Sequence, residues 1–320
     1  MLSRLTMQDK EALECFYRAL LKGETSIELP FEASIDRIMF LYKMIFSFHP
    51  EFVHVDNSHI SVCAGFGKSV VKIRKNTKWN VIKGTHTEFS LEQARYLKEL
   101  ARDTVKKLGI ENKSDMAKAV GIFDYLVTTV KYHEADCAHN AWGALVDKKA
   151  VCEGIAYAYC LLARAARLEA IKVSGTHQQE SHAWNMVKID GKTYHLDATA
   201  DLQESRYNNS YDHLFLCDSD MKDYLWDRNL YVPCTSVKHN YFIYTDSFAV
   251  SRADAERIMK RQIDRNKTVY LRFDSGVKTD PQEISDLFRD IVSENLSCSV
   301  SWRTFFNPSM NIARIEYDKN

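Results

Sequence analysis

The sequence predicts an α+β fold, and three observations carry that expectation. An almost unbroken apolar helix pattern runs on from Cys152, two strand patterns meet at Asp190-Gly191, and the tail mixes helix and strand periods. With 320 residues, 45% apolar and 27% charged, the chain has an ordinary globular composition and room for two or three packing units.

Taken in order, residues 8–22 and 34–47 have helical spacing. In the second run Ile35, Ile38, Met39, Tyr42, Ile45 and Phe46 recur at that period, and Pro50 stops it. Short strand patterns follow at Phe52-Val53-His54-Val55, Ile60-Ser61-Val62 and Val70-Val71-Lys72-Ile73. Residues 1–84 therefore read as an N-terminal accessory region without visible chemistry. From Ser90 the pattern is helical twice, through Lys107 and over residues 114–132, with Ser90 and Ser114 as N-caps and Gly109 closing the first. The helix from Cys152 runs to about Leu168, and strand-like segments fill residues 170–199. Residues 85–246 are the expected core. The tail, residues 247–320, reads as helix 252–266, strand 269–273, helix 281–295 and strands 298–304 and 312–317, a small C-terminal α+β domain.

Lys plus Arg and Asp plus Glu are equal at 43 each, so no net field draws in nucleic acid or an anionic membrane. Asp9, Lys10, Glu11, Glu14 and Arg18 interrupt the first helix, which is no signal-peptide core, and no later stretch is apolar enough to span a bilayer. Eight scattered cysteines without a C-x-x-C pair argue against a disulfide framework and a four-cysteine zinc site, and a reducing cytoplasm is the expected compartment. His133, Cys137 and His139 are close in sequence but lack a fourth ligand at a metal-site spacing. There is no glycine-rich phosphate loop either. The expectation is no metal and no cofactor.

The chemistry lies between residues 140 and 200. Cys152 opens a helix that is apolar nearly all round, from Ile155 and Ala156 to Ala165 and Ala166, with Glu153, Arg164 and Arg167 on one wet stripe. Unpaired amides at a helix start favour a thiolate and can donate to an oxyanion. Gly154 would let a substrate backbone come close. Asp190-Gly191 is a two-residue hairpin signal, and closing that turn sets Trp184 opposite Asp197 and His182 opposite Thr199. His182 and Asp197 then share a face as diagonal neighbours, roughly 7–8 Å apart at the backbone. A carboxylate beside an imidazole fixes its tautomer while the other ring nitrogen takes a thiol proton. His195 lies on the same face and rivals His182 as base. His177 falls in an expected solvated loop, residues 176–180. Asn140 and Trp142 precede the cysteine by about ten residues and could help its amide hold an oxyanion. Tyr207, Tyr211, Phe215, Tyr224 and Trp226 read as core and rim.

Ala150-Val151-Cys152-Glu153-Gly154-Ile155-Ala156, His182-Ala183-Trp184-Asn185 and Tyr194-His195-Leu196-Asp197-Ala198-Thr199 resemble, in order and separation, the three motifs of the transglutaminase-like superfamily. Asn140-Ala141-Trp142-Gly143-Ala144-Leu145 is similar to the segment before the cysteine in bacterial members. The resemblance covers about residues 90–201. It implies a papain-like core in which the cysteine helix packs on an antiparallel sheet, with Cys152 as nucleophile, His182 as base and Asp197 as its orienting group. Asn140, Trp142, Gly154 and Trp184 would then line the substrate and oxyanion region. Ala198 stands where many members have proline and Ala200 where many have tryptophan, departures that bear on the cleft. The implied activity is acyl transfer through a thioester, as a cysteine peptidase or amidase acting on a protein or peptide; cross-linking to an amine is the alternative, and a scaffold that kept the triad residues is the rival of a different class.

Overall fold

The computed structural model describes residues 5–80, 85–204, 210–263 and 268–319, with the backbone alone for residues 58, 79–80, 85–87 and 203–204. They fall into two units, Met1–His213 with Asp223–Thr235, and Leu214–Lys222 with Ser236–Asn320. No helix among the described residues is long and apolar enough to cross a membrane.

Unit 1 opens with α1 (Met7–Lys22), β1 (Ser26–Leu29), α2 (Ile35–Phe48) and the strands β2 (Val55–Gly65) and β3 (Lys68–Lys75). Local chemistry sets these limits. Thr6 and Asp9 form a capping box at the head of α1, and Gly23 ends it at φ 73. The strands pair antiparallel in the order β1-β3-β2. Residues 52–54, expected as strand, instead make tight turns, with Phe52 N donating to His49 O and Val53 N to Glu51 O. The reason is the carboxylate they deliver. Glu51 is fully buried, and its oxygens lie 3.1 Å from Arg164 of the core helix and 3.1 Å from Lys98. Burial alone would raise its pKa, but His49 and Arg164 hold it down at about 2.

After the short strands β4 (Thr77–Asn80) and β5 (Thr85–Glu88) come α3 (Leu91–Lys107) and α4 (Asp115–Thr129), capped by the side chains of Ser90 and Ser114 as their sequences suggest. β6 (Lys131–Tyr132) pairs in parallel with β7 (Lys149–Ala150), with a π-helical turn, Gly143–Asp147, between them. α5 (Cys152–Ala165) follows at once. Every residue from Gly154 to Ala163 is buried, and the helix packs on β8 (Ala170–His177) and β9 (Glu180–Ile189) with α3 and α4 beside it. β10 (Lys192–Leu196) and α6 (Ala198–Glu204) continue the chain. Two short strands come next: β11 (Leu214–Leu216) belongs to unit 2, and β12 (Tyr224–Leu225) returns to unit 1, where β10, β9, β8 and β12 pair antiparallel in that order.

Asp190 and Gly191 turn at φ 48 and 76, the left-handed pair that a two-residue hairpin requires, and the register runs from Lys192↔Ile189 to Leu196↔Asn185. The β8–β9 turn has the same form at Gln178 and Gln179, φ 51 and 70, without glycine or asparagine. Side chains rarely adopt that backbone, so this turn is strained. His177 is therefore the last residue of a strand rather than part of a solvated loop.

In unit 2, α7 (Tyr241–Tyr244) and β13 (Phe248–Ala249) lead to α8 (Arg252–Ile263), β14 (Thr268–Phe273), α9 (Pro281–Asn295), β15 (Val300–Asn307) and β16 (Ile312–Lys319). The sheet order is β13-β14-β16-β15, with β13 and β14 parallel. Ile258, Met259, Phe288 and Ile291 from the helices and Val269, Leu271, Ala313 and Ile315 from the strands form its core. Period-two strands against period-3.6 helices produce that arrangement.

Candidate active site

Cys152 is the first residue of α5, half-buried and unpaired with any other cysteine. Val151 before it is extended and supplies no side-chain cap, so the first-turn amides have no partner from that residue. Two neighbours fix this helix start. Val151 N donates to Ala138 O at 3.1 Å, and a Cβ on Gly154 would stand 2.1 Å from Ala138 O and 2.9 Å from Asn140 O. Gly154 thus does admit a close backbone, but that backbone is the chain's own, not a substrate's. Asn140 Oδ1 accepts from Trp142 N at 2.9 Å, which closes a local turn. The Trp142 ring lies edge-on to Phe89 at 5.1 Å and near Tyr96 at 5.7 Å.

His182 and Asp197 meet across the β9–β10 hairpin. His182 Nε2 donates to Asp197 Oδ2 at 2.6 Å, and Cys152 is among the groups that raise the pKa of the same ring. Burial by itself depresses the imidazolium, but Asp197 and Cys152 outweigh it and raise the His182 pKa to about 10. Burial likewise raises the Asp197 carboxyl, and His182, His213 and the Ala200 amide bring it down to about 2. Asp197 stands where β10 ends and α6 begins: its Oδ1 accepts from Thr199 N at 3.0 Å and Ala200 N at 3.1 Å, an N-cap arrangement. Its own N–H donates to His213 O at 3.0 Å.

His195 is elsewhere. It is fully buried, accepts a 3.0 Å hydrogen bond from Trp184 Nε1, and packs on Trp226 at 4.9 Å. Trp184, expected in the cleft, is 1% exposed, and its ring stacks on His182 with centroids 6.1 Å apart. Glu153, the next residue, is engaged by cations. It pairs with Lys172 at 2.8 Å and His139 at 3.6 Å, and although burial opposes ionisation these cations hold it at about 2. His139 also lies 3.1 Å from Glu134, so its ring is engaged by carboxylates. Cys137 and Cys160 are thiols of the interior, and burial pushes each up to about 12.

Two residues at the site escaped the sequence reading. Tyr224 OH donates to Asp197 Oδ2 at 2.8 Å, and the His177 ring stacks on Tyr224 at 4.1 Å with planes 10° apart. The two-residue strand of Tyr224 gives no periodicity by which to find it, and His177 ends its strand at a turn without the usual turn residues. Tyr211 stacks with Phe123, as core aromatics do, and Tyr207 lies outside the described residues.

A family model described as the transglutaminase-like superfamily matches residues 98–198, the segment that carries α4, α5 and the hairpin. No curated protein sequence matches the chain. Among solved structures, a TGase matches at 15% identity over 58% of this chain and 53% of its own, with a TM-score of 0.33. A candidate cysteine protease from Cytophaga hutchinsonii matches at 15% identity over 44% of this chain and 61% of its own, TM-score 0.29. A candidate protease from Parabacteroides distasonis matches at 9% identity over 82% and 61%, TM-score 0.27. The chain thus spans only about half of the TGase and about three fifths of the other two.

Proposed function

We propose that this chain, whose residues 98–198 carry a transglutaminase-like domain, is a thiol-dependent acyl-transfer enzyme acting as a cysteine peptidase or amidase on a protein or peptide. The observation that carries the reading is the 2.6 Å bond of His182 to Asp197, with Cys152, at the uncapped start of α5, among the groups that raise the pKa of that ring. Such a ring can hold the thiol's proton and later hand it to a leaving group while the carboxylate keeps it in place.

In this mechanism His182 already holds the Cys152 proton as an imidazolium, and the thiolate Sγ bonds to the carbonyl carbon of an amide. The oxygen takes up the electron pair and is held by first-turn amides of α5. Collapse of the adduct breaks the C–N bond, His182 returns the proton to the leaving amine, and a thioester remains on Cys152. Water then attacks that carbonyl, gives its proton to His182, and releases the acid as the thiol re-forms. A primary amine in place of water would give cross-linking, by the same steps.

The test is a peptide library offered with and without a labelled primary amine to wild type, Cys152→Ala and Asp197→Ala. Cleavage without amine uptake is expected, abolished in Cys152→Ala. In Asp197→Ala it should fall sharply, by at least about 10²-fold, since an orienting group supplies only part of the catalysis. Amine incorporation would move the reading to a transglutaminase. Full activity in Cys152→Ala would refute the mechanism.

A further inference from the structure

We propose that Tyr224 is a positioning residue of this site, its hydroxyl holding the Asp197 carboxylate and limiting how strongly that carboxylate grips the His182 imidazolium; this rests on the reading of Cys152, His182 and Asp197 above. The geometry is specific. One carboxylate oxygen, Oδ2, accepts from His182 Nε2 at 2.6 Å and from Tyr224 OH at 2.8 Å, while Oδ1 accepts the Thr199 and Ala200 amides. A carboxylate has about four acceptor positions, so this one is fully occupied.

Tyr224 is also held in place. It is 4% exposed, β12 pairs it with His177, its ring stacks on that histidine, and the Trp184 ring meets it edge-on at 5.1 Å. A ring clamped in this way keeps its hydroxyl aimed at Oδ2 while substrate comes and goes. The titratable groups around the pair are Cys152 from α5, Tyr132 from β6, His177 from β8 and His213 after α6, with Glu134, Glu180 and Asp223 acting at longer range.

A donor on the shared oxygen draws charge from it. That favours the ionised carboxylate and weakens its hold on the proton of His182. Without the hydroxyl, the imidazolium should be held more tightly and released at higher pH. A purely packing role would leave that titration where it is.

Tyr224→Phe keeps the ring and the stack and removes only the hydroxyl. The His182 ring carbon resonance, titrated by NMR, is expected to move upward by about 0.5–1 pH unit, a fraction of the strength of a hydrogen bond to a charged group. Placing 3-fluorotyrosine at position 224 makes the phenol a stronger donor and should shift the titration the opposite way. His177→Ala, which removes the stacking plate but leaves the hydroxyl, should shift it less than Tyr224→Phe. An unchanged His182 titration in both Tyr224 replacements, or shifts of the same sign, overturns the proposal. The readout needs no turnover, so a failure of every acyl substrate would count against the acyl-transfer reading and leave this result standing.

Discussion

Replacing Asp197 by alanine should cost stability in a way that depends on pH. In the folded protein His182 titrates near 10 against an ordinary 6.5, and Asp197 near 2 against 3.8. The raised histidine contributes stability in full below pH 6.5 and loses it as pH rises through 10; the depressed carboxyl contributes above 3.8 and loses it as pH falls through 2. The pair is common to both shifts, with Cys152 adding to the first and His213 and the Ala200 amide to the second, so it stabilises most between about pH 4 and 6.5. With side-chain exposures of 12% and 2%, solvent screens it little. Breaking a buried pair costs about 3–5 kcal/mol, and that is the expected difference between wild type and Asp197→Ala at pH 5. Above pH 10 only the lost N-cap and hydrogen bonds of Asp197 should remain, about 1–2 kcal/mol. Urea unfolding of both proteins at pH 5, 7, 8.5 and 10.5 measures the difference, and titrations common to both cancel. A difference that stays flat or grows toward alkaline pH would refute the assignment of a charged pair.

Cys152 should be alkylated by iodoacetamide near pH 6 faster than any other cysteine, including the more exposed Cys63 and Cys298, as read by peptide mass spectrometry; equal or slower labelling contradicts a special environment. Gly154→Ala places a Cβ against the backbone oxygens of Ala138 and Asn140, and should destabilise by about 1–3 kcal/mol and impair any Cys152-dependent activity. Gly191→Ala meets no atom within 4 Å but must hold φ 76, so it should cost about 1–2 kcal/mol and spare activity in the folded fraction. Thermal unfolding beside turnover separates the two glycines, and loss of activity in both alike would show that position 154 has no particular hold on the site.

Sequence legibility tracked local signals. Asp190-Gly191 specified its turn type and with it the whole β9–β10 register, which in turn set His182 and Asp197 on a common face. The serine caps and the apolar run after Cys152 fixed three helices in the same way. The Gln178-Gln179 turn was not legible because its residues are not those that favour a left-handed backbone; tertiary pairing of β8 with β9 imposes it. That also hid the true place of His177. Gly154 looked like room for a ligand because no sequence pattern reports which backbone passes a glycine. Phe52 to His54 looked like strand because Phe52 and Val53 are apolar, as buried turn residues can also be, and they follow Glu51, which is tied to Arg164 and Lys98. Tyr224 lies far along the chain from Asp197 and joins it only through sheet topology.

Asp197 performs two tasks with the same pair of oxygens: it ends a strand and caps a helix, and it grips an imidazole. Substitution there is costly to folding whether or not any reaction takes place. A descendant that abandoned chemistry would therefore still retain the aspartate and its histidine, since losing either leaves a buried partner uncompensated. Cys152, by contrast, is only half-buried. On the proposed mechanism it is the residue such a lineage is free to lose, so the identity of position 152, rather than the survival of the dyad, would separate a working member from a silent one.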